Sequence, residues 1–162
     1  MSRSELRCQP LTAAAFAPFG DVLECAGAPD ALINAGLCGR FHDRARLDFE
    51  DGQPGISLFS AQPRSLPYTL DFLERHPKGS QAFIPMHQNP FLVTVAPDND
   101  GTPGTPIAFL TAPGQAINIH RNVWHGVLTP LQAPGLFAVV DRIGDGANLQ
   151  EFALPEPVLI TA

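Results

Sequence analysis

Prolines are scattered through this chain, 17 of them in 162 residues, with 14 glycines between them. A proline inside a helix costs about 3 kcal/mol. A bundle of long helices is therefore excluded, and many short strands joined by turns are the expected alternative. Apolar runs fit that expectation. They fall at residues 21–25, 56–60, 81–84, 91–96, 107–111, 116–119, 123–128 and 136–143. From residue 81 on they recur roughly every 8 to 15 residues, the rhythm of a sandwich or barrel. Thr12 is placed to cap one short helix through Phe16, which Pro18 and Gly20 end. Asp98-Asn99-Asp100-Gly101 is a turn signal, and residues 97–106 read as a mobile surface loop. The fold class expected is all-β, a barrel with a few short helices.

The length corresponds to one domain, residues 1–162. A chain of this size buries roughly 70% of its unfolded surface, enough for a real core. The formal net charge is −6 and no two Lys or Arg residues are adjacent. Nucleic acid and anionic membrane are thus unexpected partners, because both need clustered cations. Cys8, Cys25 and Cys38 are odd in number and lack CxxC spacing. Reduced thiols in the cytoplasm are the reading, not a disulfide framework or zinc knuckle. No apolar stretch approaches a membrane span, and residues 1–5 are not followed by the apolar run of a secretory leader.

Period-2 alternation assigns faces to the polar residues. Val123, His125 and Val127 share one face, so His125 is expected to point inward. Gln81 and Phe83 share a face. Glu74 and His76 project to one side if that piece is extended, which Pro77 favours. Glu74, His76, Gln81 and His125 thus form a candidate cluster. It has the form of the two-motif pattern of cupin barrels, His-x-His-x3-4-Glu and a distant His, with Glu74 in place of the first His and Gln81 in place of the Glu. One carboxylate and two imidazoles suffice for a divalent metal such as nickel or for acid–base work. Because Gln is a weak ligand, a site with no metal is the alternative. The bland reading is that these groups satisfy loop backbone.

His120 lies five positions from His125, on the opposite face if the strand is continuous. It is read either as catalytic or as a structural hydrogen-bonder. Arg121 and Arg142 are candidates to clamp a carboxylate; the rival for each is a surface ion pair, with Asp141 beside Arg142. Trp124 is expected in a core or an interface. The cysteines lack a neighbouring base and are not read as nucleophiles.

Two longer stretches carry a family resemblance. Leu73-Glu74-Arg75-His76-Pro77, continuing through Gly79 to Gln81-Ala82-Phe83-Ile84-Pro85-Met86, is one; His120-Arg121-Asn122-Val123-Trp124-His125 is the other. Together with Phe19-Gly20-Asp21-Val22, Phe41-His42-Asp43, Ala61-Gln62-Pro63 and Asp141-Arg142, they resemble the ureidoglycolate lyase family along nearly the whole chain. The resemblance implies a cupin-like β-barrel, a homodimer, and cleavage of (S)-ureidoglycolate to glyoxylate and urea in the cytoplasm, late in allantoin degradation.

That chemistry needs a base for the carbinol hydroxyl, an acid for the departing urea nitrogen and a holder for the carboxylate. His125 and His76 are expected as acid–base or metal-binding groups, with Glu74 as ligand or orienter and His120 as a further catalytic candidate. Gln81 would bond the ureido group or complete a metal shell. Arg142 or Arg121 would bind the carboxylate. Two rival functions remain: a metal-dependent cupin oxygenase or isomerase, and a non-catalytic cupin that binds a ureide or glyoxylate.

Overall fold

The structure is a computed structural model that describes residues 4–162. Met1 to Arg3, part of the stretch read above for a leader, lie outside the described residues. β1 (Glu5–Arg7) and β2 (Gln9–Pro10) precede a single helical turn, α1 (Ala13–Phe16). Thr12 caps it, its hydroxyl accepting from the Ala15 amide at 3.2 Å. β3 (Gly20–Leu23) is followed by a hairpin of β4 (Ala31–Ile33) and β5 (Cys38–Arg40). Then come β6 (Gln53–Ser60), β7 (Tyr68–Arg75), β8 (Gln81–Pro85) and β9 (Phe91–Ala96). A small hairpin of β10 (Asp98–Asn99) and β11 (Thr102–Pro103) leads to β12 (Ile107–Leu110) and β13 (Ala116–Ile119). β14 (Trp124–His125), β15 (Thr129–Pro130), β16 (Leu136–Ile143) and β17 (Gln150–Thr161) complete the chain.

The strands form two main sheets, one in the order β1-β17-β7-β14-β9-β12-β2 and one in the order β3-β13-β8-β16-β6. About half of the described residues are strand and 3% are helix, and the fold is the expected all-β, cupin-like barrel. The barrel interior is the apolar layer between the sheets. Phe91, Val93, Val95 and Phe109 come from one sheet, Phe83, Ile117, Ile119, Phe137 and Val139 from the other. Edge-to-face rings lock the layer: Phe137 meets Phe91 at 5.0 Å, and Phe16 meets Phe109 at 5.7 Å. A second cluster covers the opposite face of the larger sheet, where Leu73, Leu92, Ala96 and Trp124 pack with Ile160. β9 supplies both clusters by alternation, and so all six of its residues are buried.

Three differences from the sequence expectations have physical causes. β17 spans twelve residues although Pro155 and Pro157 lie inside it. Its pairing with β7 breaks between Ala153 and Val158, so the prolines sit in a bulge where no ladder N–H is demanded. The run 123–128 is a ladder only at Trp124 and His125. Residues 97–106 contain the β10–β11 hairpin, which Asp98 fastens by accepting from Trp124 Nε1 at 3.0 Å and from Arg75 at 2.9 Å.

Registers define one rim of the barrel. His125 pairs with Glu74, Gln150 with Arg75, and Ile119 with Gln81. The connections at residues 76–80 and 120–123 cross between the sheets at this same end. Asn122 donates to the His76 carbonyl at 2.9 Å, tying the two crossings together.

Candidate functional site

Glu74, His125 and Val95 are directly opposite one another on β7, β14 and β9. Val95 belongs to the interior core. By the pleat, Glu74 and His125 therefore face the interior as well. His76, two residues beyond Glu74 and just past the end of β7, turns to the same side. The imidazoles of His76 and His125 are 5.2 Å apart between centroids and tilted by 39°. Ligand-capable atoms of Glu74, His76 and His125 all lie within 4.8 Å of one another.

The hydrogen bonds decide which ring nitrogens are left free. His76 Nδ1 lies 2.8 Å from the Asn148 carbonyl, and His125 Nδ1 lies 2.8 Å from the Gly126 carbonyl. A carbonyl only accepts, so each Nδ1 carries a proton, and in the neutral ring Nε2 is then the nitrogen with the lone pair. Both Nε2 atoms are buried without a partner. Gln81 adds a third such atom. Its amide NH2 donates to Asp141 Oδ2 at 3.2 Å, leaving Oε1 buried with no donor. A buried polar atom left without a partner costs about 1–3 kcal/mol. A ligand that brings positive charge or N–H donors would recover that cost.

The same geometry shifts the titrations. Burial raises the Glu74 carboxyl above its ordinary value; His76 pulls it down and Glu151 pushes it up. Glu151 stands directly across β17 from Glu74. Burial lowers His125 to about 4, with the Gly126 carbonyl opposing and His76 reinforcing. At neutral pH His125 is an uncharged acceptor.

Not all the residues singled out from the sequence join this cluster. Arg142 projects from the other face of β16 from Val139 and is buried beside the 50–52 segment. Its guanidinium donates to the carbonyls of Glu50, Asp51 and Asp145. Gly144 lies so close that a Cβ there would be 2.7 Å from Arg142 Nη2. Arg142 thus holds two loops together, and Asp141, its neighbour in sequence, faces the opposite way toward Gln81. Arg121 donates to the Pro77 carbonyl at 2.6 Å and to Glu50, with Asp48 at 3.8 Å. Both guanidinium groups are engaged by loop oxygens.

His120 belongs to a separate group. Its Nε2 lies 3.0 Å from Asp21 Oδ2, within ion-pair distance but off a good hydrogen-bond line. Burial tends to raise Asp21, yet hydrogen bonds from Asn118 and the Arg46 amide, with His120, leave it lowered. Arg46, Asp48, His120 and Arg121 line a small cleft.

Two partners escape a reading of the sequence. Asn148 lies 72 positions from His76 and acts through its backbone carbonyl, while its side chain accepts from the Lys78 amide at 2.7 Å. Carbonyls leave no mark in a residue pattern. Asp141 could have been found by its parity with Val139 and Phe137, which puts it on the inner face beside Gln81.

The family model described as ureidoglycolate lyase matches residues 3–161. A ureidoglycolate lyase of Rhodobacter capsulatus is 65% identical over 156 residues, 96% of this chain and 97% of that one. Ureidoglycolate lyase 2 of Rhizobium meliloti is 52% identical, covering 94% of each chain. A ureidoglycolate lyase of a Chelativorans species is also 52% identical, covering 92% of each.

The buried neutral His125 makes stability depend on pH. Its folded value of about 4 lies below the roughly 6.5 of an unfolded histidine. Between those values the unfolded chain binds the extra proton, so stability is full above about pH 6.5 and falls as pH drops toward 4. The loss is about 3 kcal/mol across the window. Glu74, with its raised carboxyl, works with the opposite sign: its contribution is present at low pH and fades as pH rises. Urea unfolding of chelator-treated protein from pH 7 to pH 4 should show the His125 loss, and His125→Leu should flatten it by about 2–3 kcal/mol. Equal slopes for the two proteins would contradict the burial of a neutral imidazole.

Proposed function

This chain belongs to the ureidoglycolate lyase family, and from that premise we propose that it cleaves (S)-ureidoglycolate to glyoxylate and urea at the Glu74–His76–His125 cluster. The observation that carries the assignment is the close approach of Glu74, His76 and His125, whose imidazole Nε2 atoms no protein donor meets. The substrate is a carbinolamide with a carboxylate at one end and a ureido group at the other. Its hydroxyl proton leaves, the C–O bond becomes a carbonyl, the C–N bond breaks, and the urea nitrogen takes up a proton. One proton is lost and one gained, so the site needs only to receive it and return it.

The residues divide that work. Glu74, whose raised carboxyl brings it nearer the operating pH than an ordinary carboxylate, receives the hydroxyl proton. His76, at the half-buried rim, takes that proton from Glu74 on its free Nε2 and returns it to the departing nitrogen, which leaves both groups as they began. His125 stays neutral and accepts a hydrogen bond. Gln81 Oε1 accepts from a ureido N–H. His120 and Arg121 line a separate small cleft with Arg46 and Asp48.

The substrate's carboxylate needs positive charge, and Arg142 and Arg121 are engaged by loop oxygens. The donor set of one carboxylate and two imidazoles fits a divalent ion such as nickel. In that alternative Glu74, His76 and His125 would hold the ion in place of carrying protons, with Gln81 as a weaker fourth ligand in place of its ureido contact, and the ion's chemistry there would be Lewis-acid polarisation of oxygen and charge for the carboxylate.

The chain is proposed to work as a homodimer. β6 is the edge of its sheet, and its outward Ile56 and Leu58 are 78% and 65% exposed. Val140 pairs with Ile56, Ala138 with Leu58, and Ile84 with Ala138, which extends this apolar face across three strands. A long apolar edge of this kind calls for a cover. Sedimentation should give twice the chain mass, and Ile56→Lys with Leu58→Lys should give a monomer; a monomeric parent protein would contradict the dimer. A reducing, cytoplasmic setting is supported by the free thiols of Cys8, Cys25 and Cys38. No helix among the described residues is long and apolar enough to cross a membrane. Recovery of the native protein from an extracytoplasmic fraction would overturn the cytoplasmic assignment.

The deciding assay is release of glyoxylate and urea from racemic ureidoglycolate, measured above spontaneous decay. Equimolar products from half of the racemate are expected. His125→Ala should lower turnover by about 10²-fold or more while leaving the fold intact. Chelation decides between the two roles of the cluster: loss of activity restored by a divalent ion makes Glu74, His76, Gln81 and His125 a metal site, and retained activity leaves them as proton carriers and hydrogen-bond acceptors. Ammonia in place of urea, or near-normal turnover by His125→Ala, would overturn the assignment.

A further inference from the structure

We infer that Asp141 is a positioning residue that fixes the amide of Gln81, so that its carbonyl oxygen and not its NH2 faces the ligand. The inference rests on the proposed lyase reading for the identity of that ligand. A glutamine amide can turn over, exchanging a donor edge for an acceptor edge at almost no cost in shape. What the site recognises therefore depends on which edge is held. Asp141 decides it, because an ionised carboxylate accepts only. The edge 3.2 Å from Asp141 Oδ2 must be the NH2, and Oε1 is directed elsewhere, into a buried position without a donor.

The backbone places the pair. Val139 pairs with Phe83 and Val140 with Ala82, so the next step of the ladder brings Asp141 beside Gln81. Val139 and Phe83 are both interior residues, and two-residue parity puts Asp141 and Gln81 on their face. Asp141 forms no ion pair among the described residues. Arg142, the nearest cation in sequence, points to the other side of the sheet and is held by three loop carbonyls. The Asp141 carboxylate is thus free to serve Gln81 alone.

The consequence is selectivity. An acceptor held at Gln81 favours a ureido group, whose nitrogens carry N–H donors, over an analogue that presents oxygen in that place. With the amide turned over, the site would present N–H to N–H and reject its substrate. A site built around a hydrogen bond discriminates strongly against a ligand that cannot make it.

The test combines kinetics with the amide's own signal. Asp141→Leu should raise KM for ureidoglycolate about tenfold with kcat changed by less than about threefold, the effect of one misdirected hydrogen bond. Asp141→Asn, which retains an acceptor oxygen of the same shape, should recover part of that loss. Gln81→Leu combined with Asp141→Leu should be no worse than Gln81→Leu alone, because the second residue acts through the first. In nitrogen-15 spectra the Gln81 NH2 pair, identified by its absence in Gln81→Leu, should shift and exchange faster in Asp141→Leu and much less in Asp141→Asn. Additive losses in the double variant, an unchanged KM in Asp141→Leu, or an unmoved amide signal would overturn the role. Should Asp141→Leu fail to fold, Asp141→Asn decides the role: a KM and an amide signal equal to those of the parent overturn it, and intermediate values support it. If the parent protein does not turn over ureidoglycolate, the proposed reaction falls, and the amide signal still decides the role of Asp141.

Discussion

One pairing in the ladder holds the rest of the site in place: His125 of β14 lies directly across from Glu74 of β7. A slip of one residue would send His125 to the Trp124 face and Trp124 into the barrel. The two faces make such a slip expensive. Trp124 is packed with Leu73 and Phe152, stacks under Arg75 at 4.3 Å and donates to Asp98. The large, well-partnered indole on one side thereby fixes the polar imidazole on the other. Stability and chemistry are written into alternate residues of the same strand pair.

The second constraint is the consistent use of donors and acceptors. Asn148 and Gly126 hold the two Nδ1 protons by backbone carbonyls, and Asp141 holds the Gln81 NH2. All three contacts turn an acceptor toward buried space. Three cations that flank these residues in sequence are engaged elsewhere: Arg142 and Arg121 tie the 48–51 segment to the rim, and Arg75 fastens the β10–β11 hairpin. Such a site is poised for a ligand that brings positive charge or N–H groups. It also explains why burial pushes Glu74 and His125 in opposite directions, both toward their neutral forms.

Much of this was readable from residue order. The scattered prolines and short apolar runs pointed to a β-barrel, and alternation about His125 and around Glu74 put those groups on inward faces. The reading lost its hold where tertiary structure overrides local rules. β17, the longest strand, was invisible because Pro155 and Pro157 argue against it, until a bulge opposite β7 removes the demand for their missing N–H groups. Arg142 resembled a carboxylate clamp, since a sequence cannot show three backbone carbonyls gathered from residues about 90 positions upstream and three downstream. Asn148 was unreadable for the same reason. Asp141 is legible by strand parity on β16, which sets it on the face of Val139 and away from its sequence neighbour Arg142.

The central claim is that His76 and His125 both present an unprotonated Nε2 to the same space. Long-range proton–nitrogen correlation of the histidine rings at pH 7 tests it most directly. The account predicts that both rings are Nδ1-protonated, with two Nε2 signals at acceptor positions that are absent in His76→Ala and His125→Ala respectively. A neutral ring of either residue that carries its proton on Nε2 in place of Nδ1 would contradict it, because the carbonyl of Asn148 or Gly126 would then lack its donor and the acceptor would be turned out of the cluster.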